Sequence, residues 1–152
     1  MKVLFVCHGN ICRSPAAEYI FKSMVKKNYL DDQIEVDSAA TSMEEIGNPV
    51  YPPMLSVLND HGINPSGHKA RLVKKSDYDD FDFIIGMDSA NRKNLLRLFG
   101  GDPDGKIALM MDSTDDPHDV SDPWYTRDFE TAYNEIEEGC EHLFKYLKKI
   151  CN

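Results

Sequence analysis

Short apolar runs alternate along this chain with longer stretches of helical periodicity. Lys2 to Cys7 is apolar on both faces and rich in β-formers, which predicts a buried strand. A polar turn from His8 to Arg13 follows. Ser14-Pro15 then reads as a helix start, with Ser14 as N-cap, Pro15 at the first helical position and Glu18 completing a capping box. Ala16, Ala17, Ile20, Phe21, Met24 and Val25 recur at helical spacing and give this helix one apolar face. The alternation continues with a strand over 34–39, a proline- and glycine-bearing loop over 41–53 and a short helix over 54–61. A strand over 81–87, a helix over about 88–99 stopping at Gly100-Gly101, and a strand over 106–111 come next. Residues 112–125 are polar and contain prolines, which predicts an irregular loop of a length that often carries function. In the last segment Phe129, Tyr133, Ile136, Cys140, Leu143 and Leu147 step by fours and threes, the signature of a helix packed along one stripe.

Four strands alternating with helices predict an α/β fold. The expected form is a single-domain three-layer sandwich, a four-stranded parallel sheet flanked by helices. No repeat, low-complexity tract or long linker divides the chain, so residues 1–152 are read as one domain. Ligands in such folds sit beyond the carboxyl ends of the strands, where the His8–Arg13 turn falls.

Composition narrows the function classes. A formal net charge of −9 on 152 residues disfavours general binding to nucleic acid or to anionic membranes. It also makes any anion site informative, because such a site must be locally positive. No run approaches the roughly 18 apolar residues of a membrane span, and Val3–Cys7 is too short for the core of a signal peptide. The four cysteines (Cys7, Cys12, Cys140, Cys151) are therefore read as reduced thiols of a cytoplasmic protein. The five histidines are scattered without ligand spacing, so neither a metal nor another cofactor is expected.

The turn Cys7-His8-Gly9-Asn10-Ile11-Cys12-Arg13-Ser14 has the makings of a phosphate-binding loop after strand 1. Gly9 and Asn10 both tolerate positive φ, so the backbone can curl and aim successive N–H groups at one centre. At a helix N-terminus such a nest binds anions through its donors and the helix dipole. Arg13 is placed to grip two phosphate oxygens with its planar fork. The same field favours the Cys7 thiolate, a nucleophile able to form a thiophosphate intermediate. An ester oxygen that leaves with a conjugate-acid pKa of about 10, as a phenol does, calls for a general acid. Asp112, Asp115, Asp116, Asp119 and Asp122 all lie in the long loop, and composition does not choose among them.

Val3 to Glu18, with Cys7-x5-Arg13-Ser14-Pro15 at its heart, resembles the signature of the low-molecular-weight protein tyrosine phosphatases. Asp37-Ser38-Ala39-Ala40-Thr41, His68-Lys69-Ala70-Arg71, Met87-Asp88-Ser89-Ala90-Asn91 and Asp122-Pro123-Trp124 follow in that family's order. The resemblance implies hydrolysis of protein tyrosine phosphate or small aryl phosphates, releasing inorganic phosphate. It selects Asp122 as acid and base, and implies that Asn10, Ser14, Ser38 and His68 support the loop. It further implies a reversible Cys7–Cys12 disulfide that protects the nucleophile. Trp124, Tyr125 and Glu44 are the expected walls of the substrate slot, with Glu44 in an acidic segment where many members place an aromatic residue. Related phosphoarginine phosphatases carry threonine where this loop has Ile11, which points toward tyrosyl phosphate. A monomer is expected, with a weak dimer as the alternative.

Two other readings compete. A thiol-linked arsenate reductase uses the same loop but needs further cysteines near the third strand, and residues 70–111 contain none. A non-catalytic phosphate-binding module would have no need of the Cys, Arg and Asp set.

Overall fold

The computed structural model describes residues 1–151. Strand β1 (Lys2–Cys7) is central, paired in parallel with β2 (Glu35–Ala40) on one side and β3 (Phe83–Gly86) on the other. β4 (Ile107–Leu109) extends the sheet beyond β3, giving the order β2-β1-β3-β4 with every pair parallel. The chain thus winds outward from β1 to β2, crosses back, and winds outward again from β3. Crossovers of opposite sense separate the carboxyl ends of β1 and β3 and open a crevice there.

Helices cover both faces. Val3, Phe5 and Cys7 point to one side of β1 and pack with apolar residues of α1 (Arg13–Lys27), α2 (Pro52–Asp60) and α6 (Phe129–Cys151). Leu4 and Val6 point to the other, where Tyr78 of α3 (Asp77–Asp80) and Leu95 of α4 (Ser89–Phe99) complete a second, smaller core. The three-layer α/β sandwich expected from the sequence is the fold observed. None of the described helices is long and apolar enough to cross a membrane.

The start of α1 departs from expectation. Its N-cap is Cys12, not Ser14, and no side chain caps it. The Ser14 amide points instead at the Cys7 sulfur, 3.4 Å away. With Cys12 as N-cap the capping-box position falls on Pro15, so Glu18 closes no box; its carboxylate accepts the Ser38 hydroxyl at 2.6 Å. Helix α2 begins at Pro52, two residues earlier than predicted, since proline in a first turn forgoes only an N–H that has no partner there. β2 lies one residue later than predicted, with Ile34 still held in a turn by its N–H to the Leu30 carbonyl at 2.9 Å. The predicted loop over 112–125 contains part of a one-turn helix, α5 (Pro123–Thr126), capped by the Asp122 carboxylate. Neither α3 nor α5 is long enough to show a period.

Helix α6 lies very close to the end of β4. A Cβ built on Gly139 would lie 2.5 Å from the Met110 carbonyl oxygen and 2.8 Å from its Cγ. Alanine is worth about 1 kcal/mol more than glycine within a helix. Here overpacking should outweigh that gain, and Gly139→Ala should destabilise the fold by about 1–3 kcal/mol in denaturant titration.

Candidate active site

β1 ends at Cys7, and the chain turns through His8–Cys12 before α1 begins. The turn is fixed from outside by backbone bonds: Thr41 N donates to Cys7 O, Ser42 N to His8 O and Tyr51 N to Ile11 O. Asn10 adopts the left-handed conformation (φ 59°) and is fully buried. Gly9 does not take positive φ, so asparagine alone supplies the curl.

Cys7 is 3% exposed, and its sulfur lies at the focus of this turn. Asn10 N–H donates to it at 3.3 Å, Ser14 N–H at 3.4 Å, and Ser14 Oγ lies 3.0 Å away. The Asn10 side chain holds Ser14 Oγ at 2.8 Å and Ser38 Oγ at 2.9 Å, and its backbone carbonyl meets His68 Nε2 at 2.8 Å. Asn10, Ser14, Ser38 and His68 therefore form one buried network, closed by the equally buried Glu18. His8 and Gly9 lie on the outer rim, where His8 Nε2 meets Glu44 Oε2 at 3.1 Å.

Arg13, at the first position of α1, turns back into the crevice and is almost wholly buried. Its guanidinium donates to Asp88 Oδ2 at 2.8 Å, to the Val120 carbonyl at 3.1 Å and to Asp122 Oδ2 at 3.5 Å. Burial opposes its charge, but the negative fields of Cys7, Asp122 and Asp88 outweigh it and hold Arg13 above its usual pKa. Asp122 is fixed by its other oxygen, which accepts Trp124 N–H at 3.0 Å as the cap of α5. The other loop aspartates lie elsewhere: Asp112 pairs with Arg92, Asp119 accepts from Ser89, and Asp115 and Asp116 are exposed. Of the five acid candidates, Asp122 is the one that meets Arg13.

Trp124 is 58% exposed on the rim, flanked by the Tyr51 ring at 6.4 Å and by Arg127, 5.4 Å over its face. Tyr125 is 82% exposed. Glu44 stands on the rim with His8, so aromatic and acidic segments both border the opening. All four cysteines are free thiols. Burial and the neighbouring Cys7 push the Cys12 thiol pKa well up, against a downward pull from Arg13. Among the described residues, no cluster of three or more His, Cys, Asp or Glu side chains is arranged to hold a metal ion.

Several residues of the site have no role there that the sequence indicates, although Glu18, Arg71 and Asp88 fall within its motifs. Asp88 is the strongest partner of Arg13, but its sequence context signals only a helix cap, a role it also performs by accepting Asn91 N–H at 2.8 Å. Glu18 carried a plausible cap assignment that concealed its role under the loop. Tyr51 sits in a proline-rich stretch with no aromatic pattern. Arg71 N–H donates to Asn10 Oδ1 at 3.1 Å, while its guanidinium bridges Asp37 and Asp77.

The family model described as low molecular weight phosphotyrosine protein phosphatase matches residues 2–151. The low molecular weight protein-tyrosine-phosphatase YfkJ of Bacillus subtilis (strain 168) is 41% identical over 151 residues, covering 98% of this chain and 97% of that one. The crystal structure of YfkJ superposes with a TM-score of 0.97 at 40% identity, covering 100% of this chain and 97% of that one. The low molecular weight phosphotyrosine protein phosphatase of Homo sapiens is 41% identical over 143 residues, 91% of this chain and 90% of its own. The arginine phosphatase YwlE, solved as a C7S mutant with a phosphorylated active-site serine, is 27% identical with a TM-score of 0.87, covering 98% of this chain and 97% of that one. With a family match from end to end and relatives of nearly equal length, the chain belongs to the low molecular weight phosphotyrosine protein phosphatases.

Proposed function

We propose that this protein hydrolyses phosphotyrosine in proteins, and small aryl phosphates, through a phosphocysteine at Cys7. The observation that carries this reading is the meeting of a buried Cys7 sulfur, a buried Arg13 and the Asp122 carboxylate in one crevice beyond β1. Substrate phosphate enters the cradle formed by His8 to Ser14, and Arg13 turns its fork from the long contact with Asp122 onto two phosphate oxygens. The Cys7 thiolate attacks phosphorus as the bond to the aryl oxygen breaks, and protonated Asp122 delivers its proton to the departing oxygen. Asp122, now a carboxylate, takes a proton from water. The water oxygen attacks phosphorus, the S–P bond breaks, and inorganic phosphate and the thiolate are released. Arg13 and the loop N–H groups stabilise the charge on the equatorial oxygens in both steps.

The phosphorylated serine of YwlE supports a covalent phosphoenzyme as the route. The raised pKa of the Cys12 thiol supports its remaining protonated during turnover, out of competition with Cys7; its place in the same loop is what supports it as disulfide partner when Cys7 is oxidised. A reactive thiolate at Cys7 persists in a reducing compartment, which supports a cytoplasmic location. Ile11 and the aromatic rim of Trp124 and Tyr125 favour a flat phenyl ring over a guanidinium, while Glu44 disfavours acidic flanking residues.

The test compares phosphotyrosine, phosphoserine and phosphoarginine peptides, with Asp122→Asn alongside the unaltered enzyme. Phosphotyrosine should be turned over best. Asp122→Asn should lower kcat/KM by about 10²–10⁴-fold for phenyl phosphate but far less for a nitro-activated aryl phosphate, whose phenolate leaves unaided. Preference for phosphoarginine would overturn the substrate class, and an equal loss with both leaving groups would overturn the role of Asp122.

A further inference from the structure

The segment that delivers Asp122 to the crevice has no regular secondary structure from residue 117 to 122, yet side-chain and backbone bonds anchor it at successive residues. The Asp119 carboxylate accepts Ser89 N–H at 3.2 Å and Ser89 Oγ–H at 3.1 Å. Val120 N–H donates to the Met87 carbonyl at 2.9 Å, and its own carbonyl accepts from Arg13. These contacts tie the segment to the end of β3 and the start of α4. The opposing tie is a single side chain on another helix. Glu135 Oε1 accepts both the Ser121 N–H at 3.0 Å and the Ser121 hydroxyl at 2.6 Å. Its second oxygen lies 3.3 Å from His118 Nδ1, and that nitrogen also meets the Asp119 carbonyl at 2.8 Å.

Glu135 is mostly shielded from solvent and stands on the most firmly seated part of α6, between fully buried Ala132 and Ile136. It does not contact Cys7, Arg13 or the substrate opening. What it fixes is the backbone and hydroxyl of the residue immediately before Asp122. One acceptor taking two donors of Ser121 sets the direction in which the Asp122 side chain leaves the main chain.

We propose that Glu135 is a positioning residue for proton transfer to the leaving group, acting through Ser121 on Asp122. This rests on Asp122 being the general acid. Proton transfer demands a tighter geometry than phosphate binding, and a misplacement of about 1 Å can cost on the order of 100-fold in rate. Loss of Glu135 therefore weakens the step that needs the acid and spares the steps that do not. A carboxylate serving only to stabilise a surface loop would lower stability and affect all substrates alike.

The experiment measures kcat/KM, which covers the steps through phosphoryl transfer to Cys7, for phenyl phosphate and for a nitro-activated aryl phosphate. Glu135→Ala should lose on the order of ten- to hundred-fold with phenyl phosphate but less than about threefold with the activated ester. Inhibition by inorganic phosphate should be unchanged. Glu135→Gln, which keeps the acceptor oxygen for Ser121, should restore most of the loss. Ser121→Ala, a small change in a loop that leaves the fold intact, should give a partial loss of the same selective kind. An equal loss with both esters, no loss with either, or failure of Gln to rescue would overturn the proposal. Asp122→Asn measured in parallel separates the two readings. If it discriminates between leaving groups while Glu135→Ala and Ser121→Ala do not, positioning by Glu135 falls alone. If it fails to discriminate, the acid assignment falls and takes this proposal with it.

Discussion

Replacing Cys7 with serine is expected to reduce phosphotyrosine turnover by at least four orders of magnitude, about 5.5 kcal/mol of transition-state stabilisation. The loop offers a sulfur three hydrogen-bond contacts but offers a hydroxyl no base. The nearest imidazoles are committed elsewhere, His8 to Glu44 on the rim and His68 to the Asn10 carbonyl beneath the loop. A serine hydroxyl there keeps its proton and attacks slowly, and the phosphate ester it forms must expel an alkoxide, a far poorer leaving group than a thiolate, so turnover stalls. The phosphate cradle itself needs no sulfur, so the variant should still bind phosphotyrosine peptides with near-unaltered affinity. Steady-state kinetics with calorimetric titration of the inactive variant would show both halves of this result. Turnover surviving the substitution would exclude the phosphocysteine route.

Arg13→Ala should be the second most damaging change, and it should act on stability as well as rate. The buried guanidinium is the main counter-charge for the partly buried Asp88 and touches Asp122, whose side chain is a third exposed. Without it two carboxylates lose their shared counter-charge, and because both keep some solvent the cost falls below the roughly 3–5 kcal/mol of a fully buried pair, to about 1–2 kcal/mol. Part of this is recovered, because Asp88 still caps α4 through Asn91. If Arg13 clamps the phosphate as proposed, its loss should lower kcat/KM by about 10³-fold or more, since one lost donor alone costs about 10²–10³. Arg13→Lys restores the charge but not the paired geometry, so stability should recover more than activity. Denaturant titration and kinetics on both variants check the split. Parallel recovery of the two quantities by lysine would show that Arg13 acts as a charge alone.

The contrast between Arg13 and its partners shows what was legible in the sequence. Arg13 could be read because Cys7, Asn10 and Arg13 lie in one turn, and local spacing limits what a strand-to-helix connection can do. Asp88 is 75 residues away from it, and Asp122 is 109. Nothing local to Asp88 distinguishes a partly buried counter-ion from an ordinary helix cap, and it is both. Asp122 was selected by resemblance, whereas its geometric distinction from its loop neighbours appears only once the chain is folded. The fold class was legible because strand and helix periods differ. Boundaries failed where tertiary demands prevailed, as when Ser14 and Glu18 left a helix cap to serve Cys7 and Ser38. Glu135 showed no signal, since an acidic residue on the polar side of a helix looks the same whether or not a loop rests on it.

The network under Cys7 also has a polarity. A backbone N–H can only donate, so the Arg71 amide requires an oxygen from the Asn10 side chain, and that amide must turn both of its hydrogens toward Ser14 and Ser38. A carboxylate can only accept, so Glu18 draws the hydrogen of Ser38 away from Asn10. Ser14 Oγ, already accepting from Asn10, is left with one unassigned hydrogen and one neighbour in reach, the Cys7 sulfur at 3.0 Å. The direction of a single hydroxyl at the Cys7 sulfur is thus dictated by a backbone amide and a carboxylate that never touch that sulfur.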